Sequence, residues 1–480
     1  MANTIKTFNN YDINDINSIY DFIVALYLYL DDDNLSKVKK EYKGYLNLEI
    51  NIKINNNLHN IIDTLFLYCN NNEDCSISIE KDVFEKFKCK WSDLLKQSID
   101  FVPSFCFQTL ICFDNFLGKK DKYFHSEILT IQEPFNSITR DKALFYNSAP
   151  KKYNEDIMKK YHIRLARQIA IGNPNSLNLY FNSFQIIKLT DLKEFSIKIH
   201  KYNKLFDNKK EINIGLYSTN VFTYSDVIYN DNNFTIHTKY KENHEQAFVD
   251  NFLTVLKDLD NDNINIALFP EMSLLPNSLK SICQQLPYLN LKNIELIFTG
   301  SEWIDNANRA YVISTNGTVL LTHHKYIKYS EYRNNETFPY EEDIKKNTNI
   351  ELLDIEGLGR IGYMICRDCT GEDFNNMFVS TMGANILFIS AYTSQSSLMI
   401  RYADSNAKVQ AVTSIMCNTC NKNKENKVLG YIFKPIFHAN KTITISKKIF
   451  NRECLECCKN TVCKDCNNIC INKYDLNIEN

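Results

Sequence analysis

From residue 211 onward the chain alternates short apolar runs with helical stripes, and this alternation restricts the fold more than any other feature. Residues 212–217, 264–269, 294–299, 361–365 and 386–390 read as strands. Between them, Phe248, Phe252, Val255, Leu256 and Leu259 recur at helical spacing. A helix is expected from about Pro276, and residues 372–382 read as another. Residues 311–314 and 319–322 flank Asn316-Gly317, the strongest short-range hairpin signal. Strands alternating with helices and hairpins predict an α/β or a layered α-β-β-α domain.

The segment before it has a different texture. Ile13, Ile16, Ile19, Ile23, Leu26 and Leu30 follow helical periodicity, as do Val83, Phe87, Trp91, Leu94 and Ile99. Residues 1–205 are therefore expected to form a mainly helical accessory domain. They contain no nucleotide loop, metal spacing or catalytic constellation. Lys and Arg number 55 against 57 Asp and Glu, so no global basic excess draws the chain to nucleic acid or an anionic membrane. The first strongly apolar run, residues 22–30, is too short for a membrane span and lacks the basic lead of a signal peptide. A cytoplasmic location with reduced thiols is the expectation.

Three segments carry chemistry, each where an α/β sheet places its site, at a strand end. They are Phe269-Pro270-Glu271, Lys325 beyond the hairpin, and Cys366 within Ile365-Cys366-Arg367-Asp368. Singly, each has a bland reading: a surface carboxylate, a solvated lysine, an inert buried thiol. Jointly they make one machine. A thiol needs a base or a cation nearby to become a nucleophile. Glu271 supplies the base, and Lys325 supplies positive charge for a thiolate and for the oxyanion formed when sulfur adds to carbon. Cys366 and Cys369 also form a Cys-x-x-Cys, the spacing of a redox dithiol, but that reading gives Glu271 and Lys325 nothing to do.

In order and local sequence these segments resemble the carbon–nitrogen hydrolases of the nitrilase superfamily. The resemblance covers residues 211–440 and rests on Phe-Pro-Glu271, Asn308-x-Ala310 with Gly317-x-Val319 and Lys325, Cys366-Arg-Asp368, and residues 383–390. It implies a four-layer α-β-β-α sandwich and a Glu-Lys-Cys triad. It also implies hydrolysis of a small-molecule amide, nitrile or carbamoyl group, with no cofactor for catalysis. The family carries a second Glu after the Lys; Glu331 is taken for that role ahead of Glu336. The alternative is a catalytically degenerate module that senses a small molecule or builds an oligomer, with a protein partner reached through the N-terminal domain.

Sixteen cysteines are present, and six of them fall between Cys454 and Cys470, in a Cys-rich tail over 450–480. Cys417/Cys420 with Cys454/Cys457 or Cys463/Cys466 would give the four thiolates of a structural zinc. An iron–sulfur site or a tail without metal are the other readings.

Overall fold

The computed structural model describes residues 7–8, 11–12, 16, 18–30, 33–67, 69–71, 77–120, 143–147, 181, 184–188, 195–202, 212–218, 223–240, 245–332, 339–345, 348–355, 358–393, 396–410, 412–419, 428–437, 443–451 and 471–475. They divide into two compact units, residues 1–193 with 380–383, and residues 194–379 with 384–480.

The first unit is built on helices α1 (Ile19–Tyr29), α2 (Asp33–Asn47), α3 (Glu49–Leu67), α4 (Lys81–Gln97) and α5 (Val102–Lys120). The apolar positions that repeat along α1 and α4 meet in one core. There the Phe22 ring lies edge-on to Phe87, Trp91 and Phe113 at 5.0–6.1 Å. Such edge-to-face aromatic pairs add to the area that the rings bury. Trp91 satisfies its indole N–H on Thr109 at 3.0 Å, so the burial leaves no orphan donor there. No described helix is long and apolar enough to cross a membrane.

The second unit is mixed α/β. One sheet runs, in spatial order, β8 (Val319–His324), β7 (Ala307–Ser314), β6 (Leu296–Ile304), β5 (Ile266–Leu268), β2 (Asn213–Tyr217) and β17 (Ile471–Asp475). A seven-stranded sheet runs β16 (Ile443–Asn451), β15 (Val428–Phe437), β14 (Thr413–Asn418), β13 (Ile386–Ala391), β12 (Gly359–Ile365), β11 (Asn349–Ile355) and β1 (Ser196–Tyr202). The parallel strands β5, β12 and β13 are the near-continuous apolar runs of the sequence, and every residue in them is buried. That is the pattern of strands covered on both faces.

The two sheets touch through β6, β12 and β13. Phe298 stacks on Phe388 with centroids 4.0 Å apart and meets Tyr363 edge-on at 5.1 Å. The polar atoms in this apolar seam are paired: the Tyr363 and Ser390 hydroxyls lie 2.8 Å apart, and Ser390 donates to the Phe269 carbonyl at 2.7 Å. Helix α6 (Glu245–Asn261) buries Phe248, Phe252, Leu256 and Leu259 in a cluster with Tyr217, Ala267, Phe269, Ile297 and Ile313. The segment expected as one helix over 372–382 is a short α-turn, α7 (Glu372–Asn376), continued as a π-helical turn, Met377–Thr381.

Two boundaries differ from the reading of the sequence. β1 lies inside the stretch assigned to the helical domain, yet it pairs in parallel with β11 at the edge of the large sheet. β17, inside the Cys-rich tail, pairs antiparallel with β2. Both are short strands with long-range partners, and local periodicity carries no trace of such a partner. A small sheet of β9 (Ser330–Glu331), β10 (Tyr340–Glu342), β4 (Asn233–Tyr240) and β3 (Thr223–Asn230) completes the unit.

Candidate active site

Glu271 follows β5 in a loop that turns back sharply. Met272 takes a left-handed φ of 60°. Across the loop Gly300 has φ +74°, and a Cβ there would lie 2.0 Å from the Pro270 carbonyl oxygen. Only glycine lets β6 pass that close. Glu271 is 3% exposed.

Lys325 leaves the end of β8, where its N–H donates to the Asn308 carbonyl of β7 at 2.9 Å. The hairpin thus delivers Lys325 and Asn308 to the same place. Lys325 Nζ donates to Glu271 Oε1 at 2.9 Å, and Asn308 Nδ2 donates to the same oxygen at 2.8 Å. No described residue hydrogen-bonds Glu271 Oε2.

A second carboxylate completes the cluster. Glu342, at the end of β10, is fully buried and lies 2.9–3.0 Å from Lys325 Nζ through its two oxygens. Its Oε2 also accepts the Tyr329 N–H at 2.8 Å. Glu331, the residue expected in this role, sits on β9, where its carboxylate accepts from the Tyr229 hydroxyl; the structure does not join it to Lys325. Glu336 lies outside the described residues. Sequence reasoning had no means to choose Glu342. It belongs to a Glu-Glu pair that reads as solvated. Only the register of β10 on β4, with Phe234 opposite Glu342, turns it inward while Glu341 stays exposed.

Cys366 ends β12 and adopts φ 48°, a left-handed conformation that a non-glycine residue holds only under constraint. The constraint is Asp368. Its carboxylate accepts from Ile365 N at 3.3 Å, Tyr326 N at 3.0 Å and Ile327 N at 2.8 Å, and pairs with His323 Nε2 at 2.8 Å. One buried side chain therefore ties the turn carrying Cys366 to the segment carrying Lys325.

The charges act on one another. Burial alone would lower the Lys325 pKa, but Glu271, Glu342 and Cys366 push it well above the ordinary lysine value, so the ammonium is fixed. Burial and the Glu271 charge raise Glu342, against the pull of Lys325. Burial raises the Cys366 thiol well above its ordinary range; Glu271 adds to this, while Lys325 and the Tyr392 backbone oppose it. The sulfur is thus held as a thiol that feels the charges of the Glu271 carboxylate and the Lys325 cation. The loop carrying Tyr392 is clamped from below: Asn418 accepts from Thr393 N and donates to its carbonyl, both at 3.0 Å.

Elsewhere, Cys417 lies buried in β14 with Sγ 3.6 Å from the Ser218 hydroxyl, its pKa pushed up to about 12 by burial. Cys420, Cys454, Cys457, Cys463 and Cys466 lie outside the described residues. Cys369 donates from Sγ to the Cys366 carbonyl at 3.1 Å.

No family model matches the chain, and no curated protein matches it. Solved structures similar to it include Saccharomyces cerevisiae Nit3, a member of branch 10 of the nitrilase superfamily: 14% identity, TM-score 0.35, covering 51% of this chain and 91% of that one. The C. elegans NitFhit protein is similar at 11% identity and TM-score 0.35, covering 50% of this chain and 61% of that one. An amidase from Nesterenkonia sp. is similar at 10% identity and TM-score 0.32, covering 50% and 89%. Each of these likenesses covers about half of this chain.

Proposed function

We propose that this chain hydrolyses a non-peptide carbon–nitrogen bond in a small-molecule amide, with Cys366 as nucleophile, Glu271 as base and Lys325 as the oxyanion-stabilising cation. The observation that carries the reading is the buried Glu271–Lys325–Glu342 cluster, whose charges reach the Cys366 thiol. In this reading the second unit is the four-layer sandwich of that family.

The chemistry follows from the charge states. A protonated thiol is inert until its proton leaves, and Glu271 Oε2 takes it as sulfur bonds to the amide carbon. The carbonyl oxygen becomes an oxyanion, stabilised by the Lys325 ammonium. When the C–N bond breaks, Glu271 returns the proton to the departing ammonia or amine, leaving a thioester on Cys366. Water then gives a proton to Glu271 and attacks the thioester. The acid leaves, and the sulfur regains its proton. Glu342 and Asn308 keep the cluster in register: one shares the charge of Lys325, the other orients Glu271.

The test is a panel of amides, nitriles and carbamoyl compounds against the wild type and Cys366→Ala. Turnover by the wild type, lost in a folded Cys366→Ala protein, is expected. Turnover near the wild-type rate in that variant would overturn the reading.

A further inference from the structure

Beside Cys366 stands a second thiol that the hydrolytic chemistry leaves idle. Cys369 lies on the same 3₁₀ turn, Cys366–Thr370, and both cysteines are free and buried. Cys369 Sγ donates to the Cys366 carbonyl oxygen at 3.1 Å. That oxygen belongs to Cys366 itself, so only the bonds from it to Cys366 Sγ separate this contact from the other sulfur. The two sulfurs are therefore at most about 8 Å apart, whatever rotamer Cys366 takes. A 3₁₀ turn closes after three residues with about 2.0 Å of rise for each, which sets the two Cα atoms about 6 Å apart. Disulfides span Cα separations of about 4.4–6.8 Å, so the turn already has the reach of a Cys366–Cys369 bridge.

The hydrogen bond alone does not call for sulfur. On the same turn the Thr370 hydroxyl donates to the Arg367 carbonyl at 3.0 Å, the same bond to the third residue back. A hydroxyl makes that bond well, and a thiol is a weak donor. What sulfur adds at position 369 is redox chemistry, next to the thiol whose permanent oxidation would end turnover in the hydrolase reading. Burial narrows the oxidant. Cys366 is 4% exposed and Cys369 2%, which favours a small peroxide over a bulky disulfide.

We propose that Cys366 and Cys369 form a protective dithiol: a peroxide oxidises Cys366, and Cys369 captures it as a disulfide that a reducing dithiol reopens. With hydrogen peroxide, the S–O bond forms on Cys366, the O–O bond breaks, and the thiol proton leaves with the second oxygen as water. The Cys369 sulfur then attacks the Cys366 sulfur. The S–S bond forms, the S–O bond breaks, and hydroxide departs with the Cys369 proton as a second water. The two thiols lose two electrons, and the peroxide gains them. Strained disulfides are the readily reduced ones, and a bridge closed over two intervening residues belongs with them.

Masses rather than turnover test this. The full chain is treated with hydrogen peroxide, quenched with catalase, and alkylated with iodoacetamide with or without prior dithiothreitol. It is then digested for mass spectrometry, with the exposed Cys89 as internal reference. In the wild type the peptide holding Cys366 and Cys369 should lose two hydrogens, and dithiothreitol should restore its alkylation. In Cys369→Ser, Cys366 should run on to the sulfinic and sulfonic acids, and its recovered alkylation should be about fivefold or more below wild type. Cys369→Ala should match Cys369→Ser, because the loss follows the sulfur and not the hydrogen bond. Equal recovery in wild type and variants would overturn the inference. So would Cys366 linked to a different cysteine, or oxidation of Cys89 that leaves Cys366 a thiol. If neither variant folds, the wild-type masses decide alone. An amide panel without turnover would sink the hydrolase reading and leave the dithiol standing.

Discussion

At the scale of single residues, the site is a set of side chains held where they would not rest alone. Cys366 keeps a left-handed φ at a cost of about 1–2 kcal/mol for any residue with a Cβ. Two inactive variants separate that cost from the chemistry: Cys366→Gly should be more stable than Cys366→Ala by about 1 kcal/mol. Chemical denaturation of the two proteins checks it, and equal midpoints would mean the turn is not strained. Glu342 makes a second prediction. Removing one charge from a buried, hydrogen-bonded group loosens its partner, so Glu342→Gln should lower kcat/KM by about a hundredfold or more. Glu331→Gln should change it by less than about threefold, as a half-buried carboxylate bonded to a tyrosine. Steady-state kinetics on one amide distinguishes the two, and the reverse ranking would return the supporting role to Glu331.

At the scale of elements, strand ends and one carboxylate place the chemistry. Asp368 satisfies three backbone N–H groups and His323 at once, so Asp368→Ala strands several buried donors. It should cost about 3 kcal/mol or more and slow alkylation of Cys366, since it frees both the Cys366 turn and the Lys325 segment. A melting point within a degree of wild type would rule this out. The elements also show what was legible beforehand. The apolar runs at 264–269, 361–365 and 386–390 declared themselves because strands covered on both faces need apolar residues throughout. Glu271, Lys325 and Cys366 were legible because each follows such a run or the Asn316-Gly317 hairpin. Glu342 was not, because its burial depends on a parallel pairing with β4, more than one element away. Nor were β1 and β17, whose partners lie far along the chain. Gly300 was silent for a similar reason: its need for φ +74° arises from the approach of Pro270.

For the molecule as a whole, many acidic hydrogens lie in dry surroundings. Burial raises the pKa of Cys366, Cys369 and Cys417, the last to about 12 from an ordinary 9.0. Between those values the folded chain binds more protons than the unfolded one. Stability is therefore fully present below pH 9 and falls as pH rises above it, by up to about 1.4 kcal/mol per pH unit for each such group. His324 has the opposite effect on the acid side. Burial, then Arg309 and His323, lower it to about 4 from 6.5, so its stabilisation is present above pH 6.5 and lost as pH falls toward 4. Urea midpoints at pH 5, 8 and 10.5 should peak at 8, and a flat profile would contradict the burial of these groups.

The pairing of β17 with β2 also fixes an order of events during synthesis. β2 emerges from the ribosome early, and among the described residues its outer edge pairs with residues 471–475, which follow much later. Through that interval its N–H and C=O groups face water, and any extended chain nearby can dock there. A nascent or truncated polypeptide lacking β17 would expose that sticky border to its own copies. Chaperone dependence and inclusion-body yield should track the integrity of these five residues.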